Sequence, residues 1–111
     1  LERLIAAGNT VMVDFTADWC ATCKTLEAWV LDSKAVRDEL HNSGVIALKA
    51  DWTDYDPKVK ELMDMLRVHQ VPVLAVFPAG RPNNPEVFLD GYTKAQVLAA
   101  LKKAGPSKPA Q

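Results

Sequence analysis

The segment VMVDFTADWCATCKTLE, residues 11–27, decides how this chain of 111 residues folds. It begins with a short apolar run, Val11 to Phe15, that is interrupted by one carboxylate at Asp14. Runs of β-branched and aromatic residues of this length are typical of a buried strand. A polar bend follows, and from Cys20 onward the sequence favours a helix. The segment therefore predicts a strand that leads directly into a helix N-terminus with two cysteines.

Two cysteines three positions apart on the first turn of a helix can close a small disulfide ring. The helix N-terminus offers unpaired N–H groups and a partial positive charge, which favour a thiolate at the first cysteine. Cys20 lies at the helix tip, so it is predicted to be the nucleophile that forms a mixed disulfide with a substrate. Cys23, one turn deeper, is predicted to resolve that mixed disulfide. Two ordinary buried cysteines would not explain the strand, the tryptophan and the helix onset together.

Metal binding is the rival explanation for a Cys-x-x-Cys pair. Zinc would need further ligands, typically a second cysteine pair or two closely spaced histidines. The two histidines of the chain, His41 and His69, lie far apart on different predicted elements. Attachment of a haem would need a histidine directly after Cys23, where the chain has Lys24. We therefore expect no metal site and no external cofactor, because the two cysteines are themselves the redox group.

Composition and charge indicate the class of protein. With 49% hydrophobic residues and a net charge of −1, the chain is expected to form one domain over residues 1–105, with a flexible tail at 106–111. No basic cluster exceeds the pair Lys102-Lys103, which argues against nucleic acid as a partner. No apolar run approaches the roughly 18 residues that span a bilayer. The chain begins without Met or a signal peptide, so we expect a domain excised from a longer protein, monomeric in isolation.

Strand and helix patterns alternate along the chain. Strands are predicted at 11–15, 45–50, 73–77 and 86–89, and helices near 1–8, 34–41, 57–66 and 93–104, with a further helix that begins near Cys20 and includes Val30. The long crossover between the first two strands indicates parallel pairing, and the short loop before the last strand indicates a hairpin. The sequence thus predicts an α/β fold with a four-stranded mixed sheet and helices on both faces.

This element order is that of the thioredoxin fold, and the first segment resembles the thioredoxin active-site segment. Val71-Pro72 lies where that family places its cis-proline. The runs Ala17 to Glu27 and Ala50 to Thr53 are similar to the C-terminal periplasmic domain of the DsbD family of thiol:disulfide interchange proteins. Two departures from ordinary thioredoxins fit that group. Ala21-Thr22 replaces Gly-Pro between the cysteines, and Val73 follows the proline in place of threonine.

The resemblance covers residues 3–104 and implies a dithiol–disulfide oxidoreductase domain, a protein-disulfide reductase. Such a domain would lie in the periplasm as part of an inner-membrane protein. It would accept electrons from a cysteine pair in its own transmembrane domain and pass them to another periplasmic thiol domain or to protein disulfides. Two alternatives stay open: a free-standing thioredoxin-like reductase, and a redox-inert interaction module that uses the thioredoxin fold as a binding surface.

The resemblance also implies roles for two acids. In thioredoxins the acid that matches Asp14 lies beneath the cysteine pair and accepts a proton from the deeper thiol, and burial should raise its pKa. Glu27 lies four residues after Cys23 on the same helical face. In the DsbD group the matching glutamate is implied to tune the cysteines together with the first acid. For Asp14 the alternative is an acid at a strand edge, bonded to a backbone N–H or to water. For Glu27 the alternative is a solvated glutamate on the helix surface.

Three further residues are predicted to dock partners. Trp19 would flank the thiols and offer a flat apolar contact, unless it is a plain core aromatic. Pro72, if cis, would present the backbone of Val71 to an incoming chain for strand-like pairing. A trans proline in a turn is the alternative. Trp29 and Trp52 are predicted to be structural or surface residues.

Overall fold

The computed structural model describes residues 1–81 and 84–107, which form a four-stranded sheet with helices on both faces. The strands are β1, Val11–Thr16; β2, Ile46–Asp51; β3, Val73–Phe77; and β4, Glu86–Leu89. The helices are α1, Glu2–Ala6; α2, Ala21–Leu26; α3, Lys34–Asn42; α4, Pro57–Met65; and α5, Lys94–Ala104. The predicted element order is confirmed. None of the helices in these ranges is both long enough and apolar enough to cross a membrane.

Strand β1 lies inside the sheet, whose strand order is β2-β1-β3-β4. It pairs in parallel with β2, which places Asp14 beside Lys49, and antiparallel with β3, which places Asp14 beside Leu74. Strands β3 and β4 form an antiparallel hairpin. The predicted mixed sheet is therefore confirmed, and the C-terminal end of an inner strand delivers the chain to the two cysteines.

Successive side chains of β1 point to opposite faces of the sheet, and each face has its own apolar core. The core on the side of α1 and α4 includes Ile5, Val11, Val13, Phe15 and Met63. The core on the side of α3 and α5 includes Met12, Val36, Leu74, Val97 and Leu101. Asp14 and Thr16 share the face of Met12 because strand side chains alternate. The two polar side chains of β1 therefore lie on the same side of the sheet.

Helix α2 continues as a π-helical turn over Glu27–Leu31. This turn buries Glu27, Val30 and Leu31 and leaves Trp29 exposed. The sequence did not predict the π-helical turn, since one extra residue in a single turn hardly changes the spacing of apolar residues. Its consequence is that a glutamate, in place of an apolar residue, enters the interior directly after α2.

The last described residues pack against the start of β1. The backbone N–H of Thr10 donates to the hydroxyl of Ser107 at 2.9 Å, and the hydroxyl of Thr10 donates to the carbonyl of Gly105 at 2.8 Å. Ser107 in turn donates to the carbonyl of Gly44 at 2.6 Å. Ser107 belongs to the predicted tail at 106–111, and residues 108–111 lie outside the described residues. The boundary at residue 105 stays a prediction.

Candidate active site

Cys20 and Cys23 form a disulfide at the start of α2, with Cα atoms 5.3 Å apart. Cys20 is the N-cap residue of α2, and its sulfur accepts a hydrogen bond from the backbone N–H of Cys23 at 3.2 Å. A sulfur in this position lies where the helix N-terminus stabilises negative charge. Cys20 is 8% exposed and Cys23 is 1% exposed, so an incoming sulfur reaches Cys20 first.

An apolar cluster surrounds the disulfide. Ala17 is fully buried beside the two cysteines, and the side chains of Trp52 and Val71 pack against them. The Val71–Pro72 peptide bond is cis, as the resemblance led us to expect. Pro72 is buried, whereas Val71 is half-buried and stays partly accessible next to the sulfurs.

Trp19 is an exposed aromatic beside the disulfide and is not a core residue. It is 54% exposed, and its indole N–H donates to the carbonyl of Thr53 at 3.1 Å. Its ring stacks on that of Tyr55, which is 60% exposed, with centroids 6.1 Å apart. Tyr55 meets Trp52 edge to face at 5.0 Å. The three rings form a continuous aromatic surface at one side of Cys20.

The loop after β2 holds the bend that precedes Cys20. The hydroxyl of Thr53 accepts a hydrogen bond from the backbone N–H of Asp18 at 2.8 Å, and the carboxylate of Asp51 accepts one from the N–H of Thr53 at 2.9 Å. The role of Tyr55 was not predicted from the sequence. A usable signal was its position just after the run Ala50 to Thr53, which already carried the resemblance.

Asp14 and Glu27 form a buried pair of carboxyl groups on the face of the sheet that faces the π-helical turn. One oxygen of Glu27, Oε2, accepts a hydrogen bond from the hydroxyl of Thr16 at 2.5 Å. The other oxygen, Oε1, accepts one from the ammonium group of Lys49 at 3.1 Å. Glu27 is therefore not a solvated glutamate on the helix surface, and Asp14 lies on an inner strand of the sheet.

The environment of the pair separates the two acids. Burial, together with the nearby negative charge of Glu27, raises the pKa of Asp14 to about 7. Burial alone would also raise the pKa of Glu27, but the hydrogen bonds from Thr16 and Lys49 and the charge of Lys49 outweigh it and lower that pKa. Asp14 can therefore gain and lose a proton near neutral pH, while Glu27 stays ionised. Such a division is typical of a proton carrier beside a fixed charge.

Within the ranges 1–81 and 84–107, no group of three or more histidine, cysteine, aspartate and glutamate side chains is placed to hold a metal ion. The site combines a disulfide whose outer sulfur lies at a helix N-terminus with a buried carboxyl group, at Asp14, whose pKa is raised to about 7.

A family model described as thioredoxin-like matches residues 1–79. The chain belongs to this thioredoxin-like family. It is 35% identical over 96 residues to the thiol:disulfide interchange protein DsbD of Vibrio cholerae, and 31% identical over 97 residues to the DsbD of Photorhabdus laumondii. Each match covers 86% of this chain, and the chain spans 16% of the length of each of these relatives.

Solved structures confirm the fold of this thioredoxin-like chain. The C-terminal domain of Neisseria meningitidis DsbD, in its reduced form, superposes with a TM-score of 0.68 at 20% identity, over 88% of this chain and 83% of that one. A thioredoxin from Thermus thermophilus gives a TM-score of 0.71 at 22% identity, over 92% of this chain and 78% of that one. Both the predicted thioredoxin fold and the predicted likeness to the C-terminal domain of DsbD are confirmed.

The first prediction concerns stability against pH. The ordinary pKa of Asp14 is 3.8 and its folded value is about 7, so the folded chain binds a proton that the unfolded chain releases. This contribution is complete below the ordinary pKa and is lost as the pH rises through the folded pKa. We expect the free energy of unfolding of the oxidised chain, measured with urea, to fall by about 2–3 kcal/mol between pH 5 and pH 8.

In Asp14→Asn this fall should disappear, because the titrating group is gone. Asp54→Asn, at an exposed position of the loop after β2, is the matched control and should keep the wild-type pH profile. An unchanged fall in Asp14→Asn would show that another group is responsible.

The second prediction concerns the thiols of the reduced chain. Asp14→Asn and Glu27→Gln should each lower the pKa of Cys20 by about one unit or less, because each removes negative charge that opposes the thiolate. The ultraviolet absorbance of the thiolate, followed against pH, measures this. Glu61→Gln, on the exposed side of α4, should leave the titration unchanged. Identical curves for wild type and both site variants would remove the tuning role.

Proposed function

We propose that this chain is a dithiol–disulfide oxidoreductase domain, a protein-disulfide reductase of the DsbD type. The observation that carries the proposal is the Cys20–Cys23 disulfide at the N-terminus of α2, with the carboxyl group of Asp14 buried on the strand that leads to it. The similarity to DsbD proteins over 86% of the chain supports the same chemistry. A redox-inert interaction module would have no use for this pair of cysteines.

The reaction starts from the dithiol form. The thiolate of Cys20 attacks one sulfur of a substrate disulfide, which forms a mixed disulfide and releases the other substrate sulfur as a thiolate that takes up a proton. Cys23 then gives its proton to the carboxylate of Asp14. The resulting thiolate attacks the sulfur of Cys20, closes the Cys20–Cys23 disulfide and releases the second substrate sulfur as a thiolate. This thiolate takes up a proton as Asp14 gives up the one that it received from Cys23. Two electrons and two protons have then passed to the substrate.

The partners follow from the same proposal. Electrons would reach the Cys20–Cys23 disulfide from a cysteine pair in a transmembrane domain of the same protein, which reverses the steps above. They would leave to another periplasmic thiol domain or to protein disulfides. The domain itself would lie in the periplasm and need no external cofactor. The relatives named thiol:disulfide interchange protein, of which the chain matches 16%, support a role as one part of such a relay.

Docking of these partners is proposed on the surface around Cys20. Trp19 offers an exposed ring directly before the cysteine, and Val71 is partly accessible on the disulfide cluster, held there by the buried Pro72. Tyr55 extends the surface because it stacks on Trp19. An extended substrate segment could thus contact apolar groups on two sides of the reacting sulfur.

The third prediction concerns the roles of the two cysteines. Each variant replaces one cysteine sulfur by an oxygen. Cys20→Ser should abolish reduction of a disulfide substrate, because it removes the attacking sulfur. Cys23→Ser should accumulate mixed disulfides, because the resolving sulfur is absent. Reductase assays and non-reducing gels followed by mass spectrometry measure these outcomes, and in the full-length protein they identify the trapped partner.

Reductase activity retained in Cys20→Ser would contradict the assigned roles. A wild-type chain that reduces no disulfide substrate would instead favour the redox-inert interaction module. Trapped adducts with the transmembrane domain and with periplasmic thiol proteins support the relay, and adducts with neither would reject it.

A further inference from the structure

The hydroxyl of Thr16 makes the shorter of the two hydrogen bonds that hold Glu27. It donates to Oε2 at 2.5 Å, and both side chains are buried. Hydrogen bonds from a hydroxyl to a carboxylate are stronger than those between neutral groups, and they favour the ionised acid. Thr16 therefore acts on the charge of Glu27 from inside the protein.

Lys49 holds the other oxygen of Glu27 but is more open to solvent. Its ammonium group lies 3.1 Å from Oε1, while 61% of its side chain is exposed. Water and salt screen an exposed charge of this kind, so its effect on a buried partner is reduced. The Thr16 hydroxyl is buried, so water and salt do not screen it. It is an uncharged group that donates a hydrogen bond to Glu27 and so favours the ionised form of that acid.

The two acids differ in what surrounds them. For Asp14 the largest influences are burial and the charge of Glu27, both of which favour the protonated acid. For Glu27 the effect of burial is overcome by hydrogen bonds, the first of which comes from Thr16. Two carboxyl groups that share one proton are a coupled pair, and a small bias decides which of them carries it.

We propose that Thr16 is a positioning residue whose hydroxyl fixes Glu27 as the anion of the pair, so that Asp14 alone carries the proton to and from Cys23. The inference rests on the proposed function and adds to it the residue that assigns the roles of the two acids. Without the hydroxyl, the proton would divide between Asp14 and Glu27. The group that serves Cys23 would then hold its proton for only part of the time.

Other charged and titratable groups also face the pair, from every element packed around it: Lys24 of α2, Lys49 of β2, Asp32 after the π-helical turn, Arg37 of α3, and Tyr92 before α5. A substitution at Thr16 leaves all of them in place. A pocket of about 200 Å³ opens beside the pair and is lined by Asp14, Glu27 and Lys49. The pair can therefore exchange protons with water while the disulfide is closed.

The fourth prediction uses the oxidised chain, in which the cysteines do not titrate. Carbon-13 NMR of the side-chain carboxyl carbons, from pH 4 to pH 9, follows each acid separately. In the wild type, Asp14 should show the transition near pH 7 and Glu27 should stay ionised through it. In Thr16→Val, which replaces the hydroxyl by a methyl group, the Glu27 signal should acquire part of that transition. The lower transition of the pair should rise by about one pH unit, as expected for the loss of a hydrogen bond to a charged group.

Thr16→Ser restores a hydroxyl and should return both signals to their wild-type course. Thr25→Val is the matched control, because the hydroxyl of Thr25 donates to the carbonyl of Ala21 within its own helix and faces solvent. It should leave both signals unchanged. Thr16→Ala removes both the hydroxyl and the methyl group of the side chain. It gives the same test if Thr16→Val does not fold.

A Glu27 signal that stays flat near pH 7 in both Thr16→Val and Thr16→Ala would overturn the inference. So would a wild-type chain in which Glu27 is the acid that titrates there. The titration needs no turnover, so its result is separate from that of the reductase assay. A failed assay counts against the proposed function, and a failed titration counts against the role of Thr16.

Discussion

The burial of the Asp14 carboxyl group inside the sheet is the constraint on which the site depends. An isolated carboxylate in an apolar interior is strongly unfavourable, and here it lies on an inner strand between β2 and β3. Burial raises the pKa of Asp14 to about 7, so the side chain is protonated and uncharged below neutral pH. The same cost that would destabilise the fold thus provides a proton carrier next to a pair of cysteines.

The neighbouring structure keeps that carrier usable. Glu27 is a second acid that could itself bind a proton. The hydrogen bonds from Thr16 and Lys49 stabilise its ionised form and so oppose its protonation. The π-helical turn brings Glu27 into the interior at this point, and the parallel register of β1 and β2 sets Lys49 beside Asp14. At the other end of the site, the N-cap position of Cys20 provides the N–H that favours a thiolate. The two elements β1 and α2 therefore position both parts of the site. Asp14 lies on β1, Cys20 caps the start of α2, and Glu27 follows its end.

Much of this could be predicted from sequence because it is local. The first strand, predicted at 11–15, and the start of a helix near Cys20 follow from residue patterns a few positions long. The contacts of Glu27 could not be predicted in this way, because Thr16 and Lys49 reach it through strand register and through a π-helical turn. Tyr55 was missed for a similar reason. Its ring meets Trp19 only because the loop after β2 folds over the bend before Cys20, with a backbone φ of 56° that an aromatic residue seldom adopts.

The reduction potential of the Cys20–Cys23 pair decides whether this chain donates electrons to protein disulfides or withdraws them from protein thiols. Equilibration of the chain with a dithiothreitol or glutathione redox series, followed by quantification of the free thiols, gives this value. We expect a reducing potential, between that of thioredoxin at about −270 mV and those of glutaredoxins at about −200 to −230 mV. A potential near that of a disulfide-forming oxidant, about −120 mV, would contradict it, because such a pair would take electrons from protein thiols and would not supply them.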